Sequence, residues 1–340
     1  MEVGFMRFNY PKRALAIVCA NCLLIIFSMS TIVFADEPET MNENNSKIAR
    51  IEVNTVSDAE RVLEFYFKRN DMDIQIGSDK YIDYLTELLM FENDENLKRM
   101  PQYEDIKIYA SEYLSNVNNS QEIVEKDNKV FLNANEQCKT IASIKKEAEE
   151  ENASLEKYSI VSDELATQKG YSDSKAVAYA RKWAKSRNAL YNSYSSDCTN
   201  FVSQCVKAGG KTMHKPSSIP IGVKQTTKYW YSVRYEEWHT NHYIYKWNES
   251  TSFIRVSDFY TYWKNKGIQT ASYSSKAKLQ NGASTGDIIQ LKNGKGKWFH
   301  SIIITGGSKG ARKYCGHSSN RLDEPVKNIS GAVTYRALKF

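Results

Sequence analysis

The nine residues Asp197-Cys198-Thr199-Asn200-Phe201-Val202-Ser203-Gln204-Cys205 place a cysteine where a helix is predicted to begin. The apolar side chains of this stretch recur at helical spacing, and Gly209-Gly210 would end the helix. A thiol in the first turn faces unpaired backbone N–H groups and the positive end of the helix dipole, which favour the thiolate. Since the thiolate is the attacking species, the pattern favours a nucleophile at Cys198 over a buried structural thiol.

Composition restricts the class of protein. Of the 340 residues, 41% are hydrophobic and 25% are charged, which is ordinary for a globular protein and excludes global disorder and a multispanning membrane protein. The chain has 22 Tyr and 6 Trp, concentrated after about residue 171. Aromatic side chains line carbohydrate and peptide grooves and also fill buried cores, so this bias leaves both uses open.

Residues 1–35 resemble an export signal. Three basic residues precede a long apolar run, and a cleavage site is predicted after Ala35, ahead of an acidic stretch. The run is also long enough to cross a bilayer, so an uncleaved N-terminal anchor is the alternative, and only in that case do we expect membrane contact. Either way we expect the remainder outside the cytoplasm, secreted or associated with the cell wall.

Charge divides the rest of the chain into two parts. Residues 36–160 carry 15 positive and 28 negative side chains, a net charge of −13. Residues 161–340 carry 28 positive and 11 negative side chains, a net charge of +17. An acidic region therefore precedes a strongly basic one. Beyond the leader the chain has four cysteines, Cys138, Cys198, Cys205 and Cys315, which are too few for a disulfide scaffold and leave any pairing open.

The acidic part is predicted to contain a tether and a helical region. Residues 36–50 have the composition of a disordered tether, and residues 51–160 show apolar positions at helical spacing. We expect a mainly helical or α+β region of unreadable fold, with short strands near residues 107–109 and 129–132. A charged run over residues 141–165 is predicted to form a solvated linking helix.

The basic part, residues 171–340, is predicted to combine helices with a sheet. A helix capped by Ser172 or Asp173 leads through a polar loop to the cysteine helix, and another short helix follows near residues 256–263. Residues 211–252 show few apolar alternations. Strands are expected at residues 287–291, 298–305, 312–315 and 332–337.

A thiol nucleophile needs a base, and histidine is the usual one near neutral pH. Among the five histidines, His300 stands where a predicted strand begins, and a strand would hold the ring in one orientation. His317 and Asn320 follow one strand later. The remaining histidines do not reproduce a structural zinc spacing, so we expect neither metal nor cofactor.

These residues resemble the amidase-domain family of exported bacterial proteins, which is grouped with the papain-like cysteine hydrolases beside NlpC-type and CHAP cell-wall hydrolases. The resemblance rests on residues 197–204, on Gly286-Asp287 opening one strand, and on His300-Ser301 opening the next. It covers roughly residues 171–340. It implies an α+β, papain-like or NlpC-like domain in which the nucleophile helix packs on an antiparallel sheet that bears the base.

On that template Cys198 is the nucleophile and His300 the base. His317 would orient the imidazole, with Asn320 as the alternative, since both lie on the next strand. The backbone N–H of Cys198 is expected to be one oxyanion donor, and the preceding loop must supply the second. The candidates for that second donor are Tyr191, Asn192 and Tyr194.

The sequence therefore predicts an exported cysteine hydrolase that cleaves amide bonds through a thioester acyl-enzyme. The expected substrate is cell-wall peptide or peptidoglycan. The alternative is a non-catalytic wall-binding module on a degenerate hydrolase scaffold, whose basic region would hold anionic wall polymers. No nucleic-acid motif is recognisable, so no nucleic-acid partner is expected. A further hypothesis is that the acidic region docks on the basic domain and keeps it latent; a simple spacer or an unrelated dimerisation module is the competing interpretation.

Overall fold

The predicted export signal and tether lie outside the part of the chain that the structure describes. The computed structural model describes residues 52–119, 123–158, 170–294, 296–332 and 334–340. Within these ranges, no helix has both the length and the apolar character that a membrane crossing requires.

Residues 52–158 form a mainly helical region with one hairpin. The elements are α1 (Val56–Arg69), α2 (Asp79–Phe91), α3 (Glu95–Lys98), α4 (Tyr103–Asn119), β1 (Ile123–Lys126), β2 (Lys129–Leu132), α5 (Ala134–Gln137) and α6 (Ile141–Tyr158). The strand predicted at residues 129–132 is confirmed. The strand predicted near residues 107–109 is wrong, because these residues lie inside α4. The helical recurrence of buried Ile106, Tyr109 and Tyr113 prevails over the local β-propensity of a short apolar triplet.

Residues 170–340 form helices around a six-stranded sheet, with a separate three-stranded sheet. The helices are α7 (Asp173–Trp183), α8 (Cys198–Ala208), α9 (Thr251–Ile254), α10 (Val256–Asn265), α11 (Lys276–Gly282) and a 3-10 turn (Val326–Asn328). The strands are β3 (Val223–Lys224), β4 (Ser232–His239), β5 (His242–Ser250), β6 (Gln269–Tyr273), β7 (Ile288–Lys292), β8 (Trp298–Gly306), β9 (Lys313–Gly316), β10 (Arg321–Pro325) and β11 (Thr334–Lys339).

The larger sheet has the order β10-β9-β8-β7-β11-β6, and every neighbouring pair is antiparallel. The expected α+β class is confirmed, as are the four predicted strands and the helix near residues 256–263. β6 and β10, at the two edges of the sheet, were not predicted. Both are short, and neither is a buried strand with a continuous apolar run, which is the signal that marks β7 and β8.

The hairpin of β4 and β5 was also not predicted. Its strands pair over eight residues, from Ser232 opposite Glu249 to His239 opposite His242. Trp238, Tyr243 and Tyr245 are more than half exposed, so the hairpin lacks the alternation of buried apolar and exposed polar side chains that marks a half-buried strand.

Helices cover both faces of the larger sheet. Side chains alternate along a strand, so Ser301 and Ile303 of β8 point to one face while Ile302 and Ile304 point to the other. Ile303 packs in a core with Phe201 of α8. Ile302 and Ile304 instead belong to a core built with the helices of residues 52–158. The N-terminal helices and the C-terminal sheet therefore share one apolar core.

Candidate active site

Cys198 is the first residue of α8, as predicted, and its side chain is completely buried. Asp197 occupies the capping position, but its side chain makes no capping hydrogen bond to the helix backbone. The Asp197 carboxylate accepts a hydrogen bond of 2.8 Å from the Asn200 amide and pairs with Arg187 at 3.2 Å. It therefore ties the helix start to neighbouring segments.

The environment of the sulfur differs from the sequence expectation. Burial raises the pKa of the Cys198 thiol to about 11, and the Asp197 charge also raises it, whereas hydrogen bonds from Thr199 and from the Ser301 backbone lower it. The expectation that the helix start favours the thiolate therefore fails in this conformation. The free-energy cost of removing a thiolate from water is larger than the stabilisation that the local hydrogen-bond donors provide.

His300 lies in β8 and is 3% exposed. Its pKa is lowered to about 3, mainly by burial and also by the electrostatic effect of His317 and Arg321. The imidazole is therefore neutral at physiological pH and able to accept a proton. By strand alternation its side chain points away from the face of Ser301, whose hydroxyl lies 3.0 Å from that of Thr199 in α8. Among the described residues, no hydrogen bond joins His300 to Cys198.

His317 follows β9 and is held by groups other than His300. Its Nδ1 lies 2.5 Å from Asp197 Oδ2, and its Nε2 lies 2.9 Å from the Trp183 carbonyl oxygen. The ring stacks on Phe201 with 3.9 Å between centroids. Each of the two ring nitrogens therefore lies against an acceptor oxygen. His317 thus anchors the start of α8 to the end of α7.

Asn320, the alternative orienter, accepts a 2.8 Å hydrogen bond from Arg187 through its side-chain oxygen. It ends a run in which Ser318, Ser319 and Asn320 have φ of 55°, 82° and 41°. Each non-glycine residue in this left-handed region costs about 1–3 kcal/mol, and such strain persists only where the surroundings impose it. The turn is therefore held by its contacts with the helix start.

The side chains predicted as oxyanion donors have other partners. The Tyr194 hydroxyl donates to the buried Glu249 carboxylate, and the Asn192 amide donates to the same carboxylate at 3.5 Å. Tyr191 stacks on Phe253 with 6.0 Å between ring centroids. Burial raises the pKa of Glu249. These contacts stabilise the loop before α8.

Residues 170–338 match the family model described as "Putative amidase domain". The match suggests a hydrolase that acts on amide bonds, and "amidase domain" below denotes the residues that this family model matches. The chain is also similar to the uncharacterized protein YhbB of Bacillus subtilis (strain 168), at 28% identity over 138 residues. That alignment covers 40% of this chain and spans only 37% of the relative. No solved structure matches the chain.

Two residues beside the sulfur were not predicted. Asn118, in the last turn of α4 and outside the amidase domain, accepts a hydrogen bond from the Cys198 thiol with 3.2 Å between Sγ and Oδ1. Ser196 donates its hydroxyl to the same oxygen. Nothing in the local pattern of α4 marks Asn118, because it meets Cys198 only through the packing of distant segments.

The other wall of the thiol site is apolar. Cys198 packs with Val256 and Trp298, and the Arg336 guanidinium lies 4.1 Å from the centroid of the Trp298 ring. No three His, Cys, Asp or Glu side chains of the described residues lie together as metal ligands. The four cysteines in these ranges are all free thiols. The arrangement offers a thiol, a neutral imidazole and a polar cover contributed by α4.

Proposed function

We propose that this protein is an exported cysteine hydrolase that cleaves amide bonds in cell-wall peptide or peptidoglycan. The observation that carries the proposal is the position of Cys198. It begins a buried helix that packs on an antiparallel sheet bearing His300, within the segment that matches the amidase family model. The order of helix and sheet is the one that a papain-like or NlpC-like domain would require, but the His300 side chain points away from the face on which α8 packs.

In the proposed reaction, the Cys198 thiol transfers its proton to His300, and the sulfur attacks the carbonyl carbon of the amide. Negative charge develops on the carbonyl oxygen, where the backbone N–H of Cys198 is the proposed donor. Collapse of this intermediate breaks the C–N bond, the amine leaves with the proton from His300, and a thioester remains. Water then hydrolyses the thioester and restores the thiol.

The proposed roles require the site to open and the His300 side chain to turn toward the sulfur. In the resting structure the thiol is protonated, the imidazole is neutral, and no hydrogen bond of the described residues links them. Rehydration would lower the pKa of the thiol and raise that of the imidazole, because burial is the largest cause of both shifts. Both changes favour proton transfer from sulfur to nitrogen.

Features outside the thiol site support a wall substrate. Trp238 faces Tyr243 across the β4–β5 hairpin, and Tyr245 follows on the same face; all three rings are exposed. Exposed rings of this kind suit contact with sugars or peptide stems. The basic composition of residues 161–340 suits anionic wall polymers. Export through the leader would bring the chain to that substrate.

The second candidate is a wall-binding module that does not catalyse. It is favoured by one observation, namely that the raised thiol pKa leaves very little thiolate at neutral pH. The two candidates differ in whether bonds are broken.

The test uses purified peptidoglycan, with mass spectrometry of the soluble products and sedimentation to measure binding. We expect the wild-type protein to release fragments and Cys198→Ala to bind equally well but release none. Cys205→Ala removes a thiol from the same helix at a core position and is the matched control, expected to retain hydrolysis. Continued release by Cys198→Ala would refute the nucleophile, whereas binding without release by every form would support the wall-binding module.

A further inference from the structure

The carboxamide of Asn118 makes all its described polar contacts around the proposed nucleophile. Its oxygen accepts from the Cys198 thiol at 3.2 Å and from the Ser196 hydroxyl. Its nitrogen donates to the Phe299 carbonyl oxygen, with 2.6 Å between the two atoms. The side chain is 4% exposed. An amide from the N-terminal region is thus bound at the centre of the amidase domain.

The orientation of this amide follows from its partners. The Phe299 carbonyl can only accept a hydrogen bond, so the Asn118 nitrogen must face it and the oxygen must face the sulfur. An acceptor oxygen stabilises the S–H form and repels a thiolate. An oxyanion donor would instead present N–H groups to the reacting centre. Asn118 is therefore arranged to restrain the thiol and not to assist an oxyanion.

Asn118 also lies between the sulfur and open space. A cleft of about 910 Å³ runs between the β1–β2 hairpin and the loop before α8. Its lining includes Asn118 and Ser196 but not Cys198, whose side chain has no exposed surface. A substrate that entered this cleft would meet the Asn118 side chain before the sulfur.

The position of Asn118 on its helix makes displacement feasible. Among the described residues α4 runs to Asn119, so Asn118 lies in its last described turn. Local opening of a single turn costs less than global unfolding. The rest of α4 can stay packed while this turn moves.

We propose that Asn118 is a gate residue: it covers the Cys198 thiol in the resting chain, and the end of α4 must shift before an amide in the cleft reaches the sulfur. The role of the gate in hydrolysis rests on the proposed function, but whether Asn118 blocks access to the Cys198 thiol does not depend on that function. It can therefore be tested without a substrate.

The test measures how fast iodoacetamide alkylates Cys198 in the full, folded chain, with each cysteine quantified by mass spectrometry. Alkylation joins carbon to the thiolate sulfur and releases iodide, so its rate reports both access and ionisation. We expect Asn118→Ala to accelerate labelling of Cys198 at least about tenfold, since a fall of one unit in the thiol pKa alone raises the thiolate fraction that much.

The chain supplies its own controls. Asn116→Ala alters the same helix at a residue whose amide contacts Glu112 and Glu136, away from the thiol, and should leave the rate unchanged. Exposed Cys138 reports reagent activity, and buried Cys205 reports unfolding, because it should stay unlabelled in folded protein. Ser196→Ala removes one anchor of the Asn118 oxygen and should give a smaller acceleration, which keeps the test available if Asn118→Ala does not fold.

The gate is refuted if Cys198 reacts at the wild-type rate in folded Asn118→Ala, or if Asn116→Ala accelerates it equally. Faster labelling with slower hydrolysis of wall peptide would also refute it, because Asn118 would then be positioning the substrate. Faster labelling in a chain that never hydrolyses wall material would support the gate while the proposed function failed. The two proposals therefore fail in distinguishable ways.

Discussion

The two faces of the six-stranded sheet are buried equally well but by different parts of the chain. On one face, Ile303 packs against α8, within the amidase domain. On the other face, Ile302 packs with helices of residues 52–158, to which the family model does not extend. The segment that matches a family thus provides only half of the core around its own sheet. The comparison shows that the N-terminal region is a structural part of the fold around this sheet and not only a spacer.

Charge does not explain how the two regions join. The core between them is apolar, and ion pairs that cross it, such as Lys297 with Glu147 at 2.9 Å and Arg321 with Glu87, are partly exposed. The opposite net charges of the two regions therefore act mainly at the rim. If the N-terminal region keeps the amidase domain latent, the contact between Asn118 and Cys198 is a more specific basis for latency than a general electrostatic attraction.

Among the changes that test how the two faces of the sheet are covered, removal of the N-terminal region should have the largest effect on folding. Residues 170–340 alone would expose the face that bears Ile289, Ile302 and Tyr335, all fully buried in the structure. An apolar patch of that kind drives aggregation, so we expect no soluble, cooperatively unfolding product. Size-exclusion chromatography and thermal unfolding beside residues 52–340 provide the measurement. A soluble fragment with a sharp transition would mean that the second face is only a docking surface.

A matched pair of substitutions compares the two faces on one strand. Ile302→Ala and Ile303→Ala each remove the same atoms from fully buried positions of β8, one on each face. We expect each to lower the free energy of unfolding by about 2–5 kcal/mol, because each leaves a cavity in a packed core. Urea denaturation of the full chain measures both. A cost below about 1 kcal/mol for Ile302→Ala alone would show that the N-terminal side is loosely packed.

The smallest effect is expected at the charged rim. Lys297→Ala should lower the free energy of unfolding by less than about 1 kcal/mol, because its closer pair, with Glu147, is partly solvated and contributes little. The buried Glu112 carboxylate keeps its 2.8 Å pair with Lys139. Lys246→Ala, which breaks the exposed pair with Glu237 in the β4–β5 hairpin, is the matched control. Denaturation curves at low and high salt test both. Separation of the regions by salt would restore the electrostatic explanation.

Local periodicity predicted a substantial part of the fold. The start of α8 at Cys198, the helix that begins at Val256, and strands β7 and β8 all carry strong apolar patterns bounded by glycine or capping residues. The β4–β5 hairpin was missed because most of its side chains are only partly buried. The predicted catalytic roles of Cys198 and His300, and of His317 or Asn320 as orienter, stay predictions. The structure shows that the last two have other partners.

The sequence by itself determined that a cysteine begins an amphipathic helix, that a histidine sits on a buried strand, and that an acidic region precedes a basic one. These properties depend on neighbouring residues and on composition. Only the tertiary structure decided that Cys198 is buried and protonated, that Asn118 covers it from 80 positions away, and that the N-terminal helices complete the sheet's core. The physical reason is that burial, and the pKa shifts it causes, depend on which distant segments pack together.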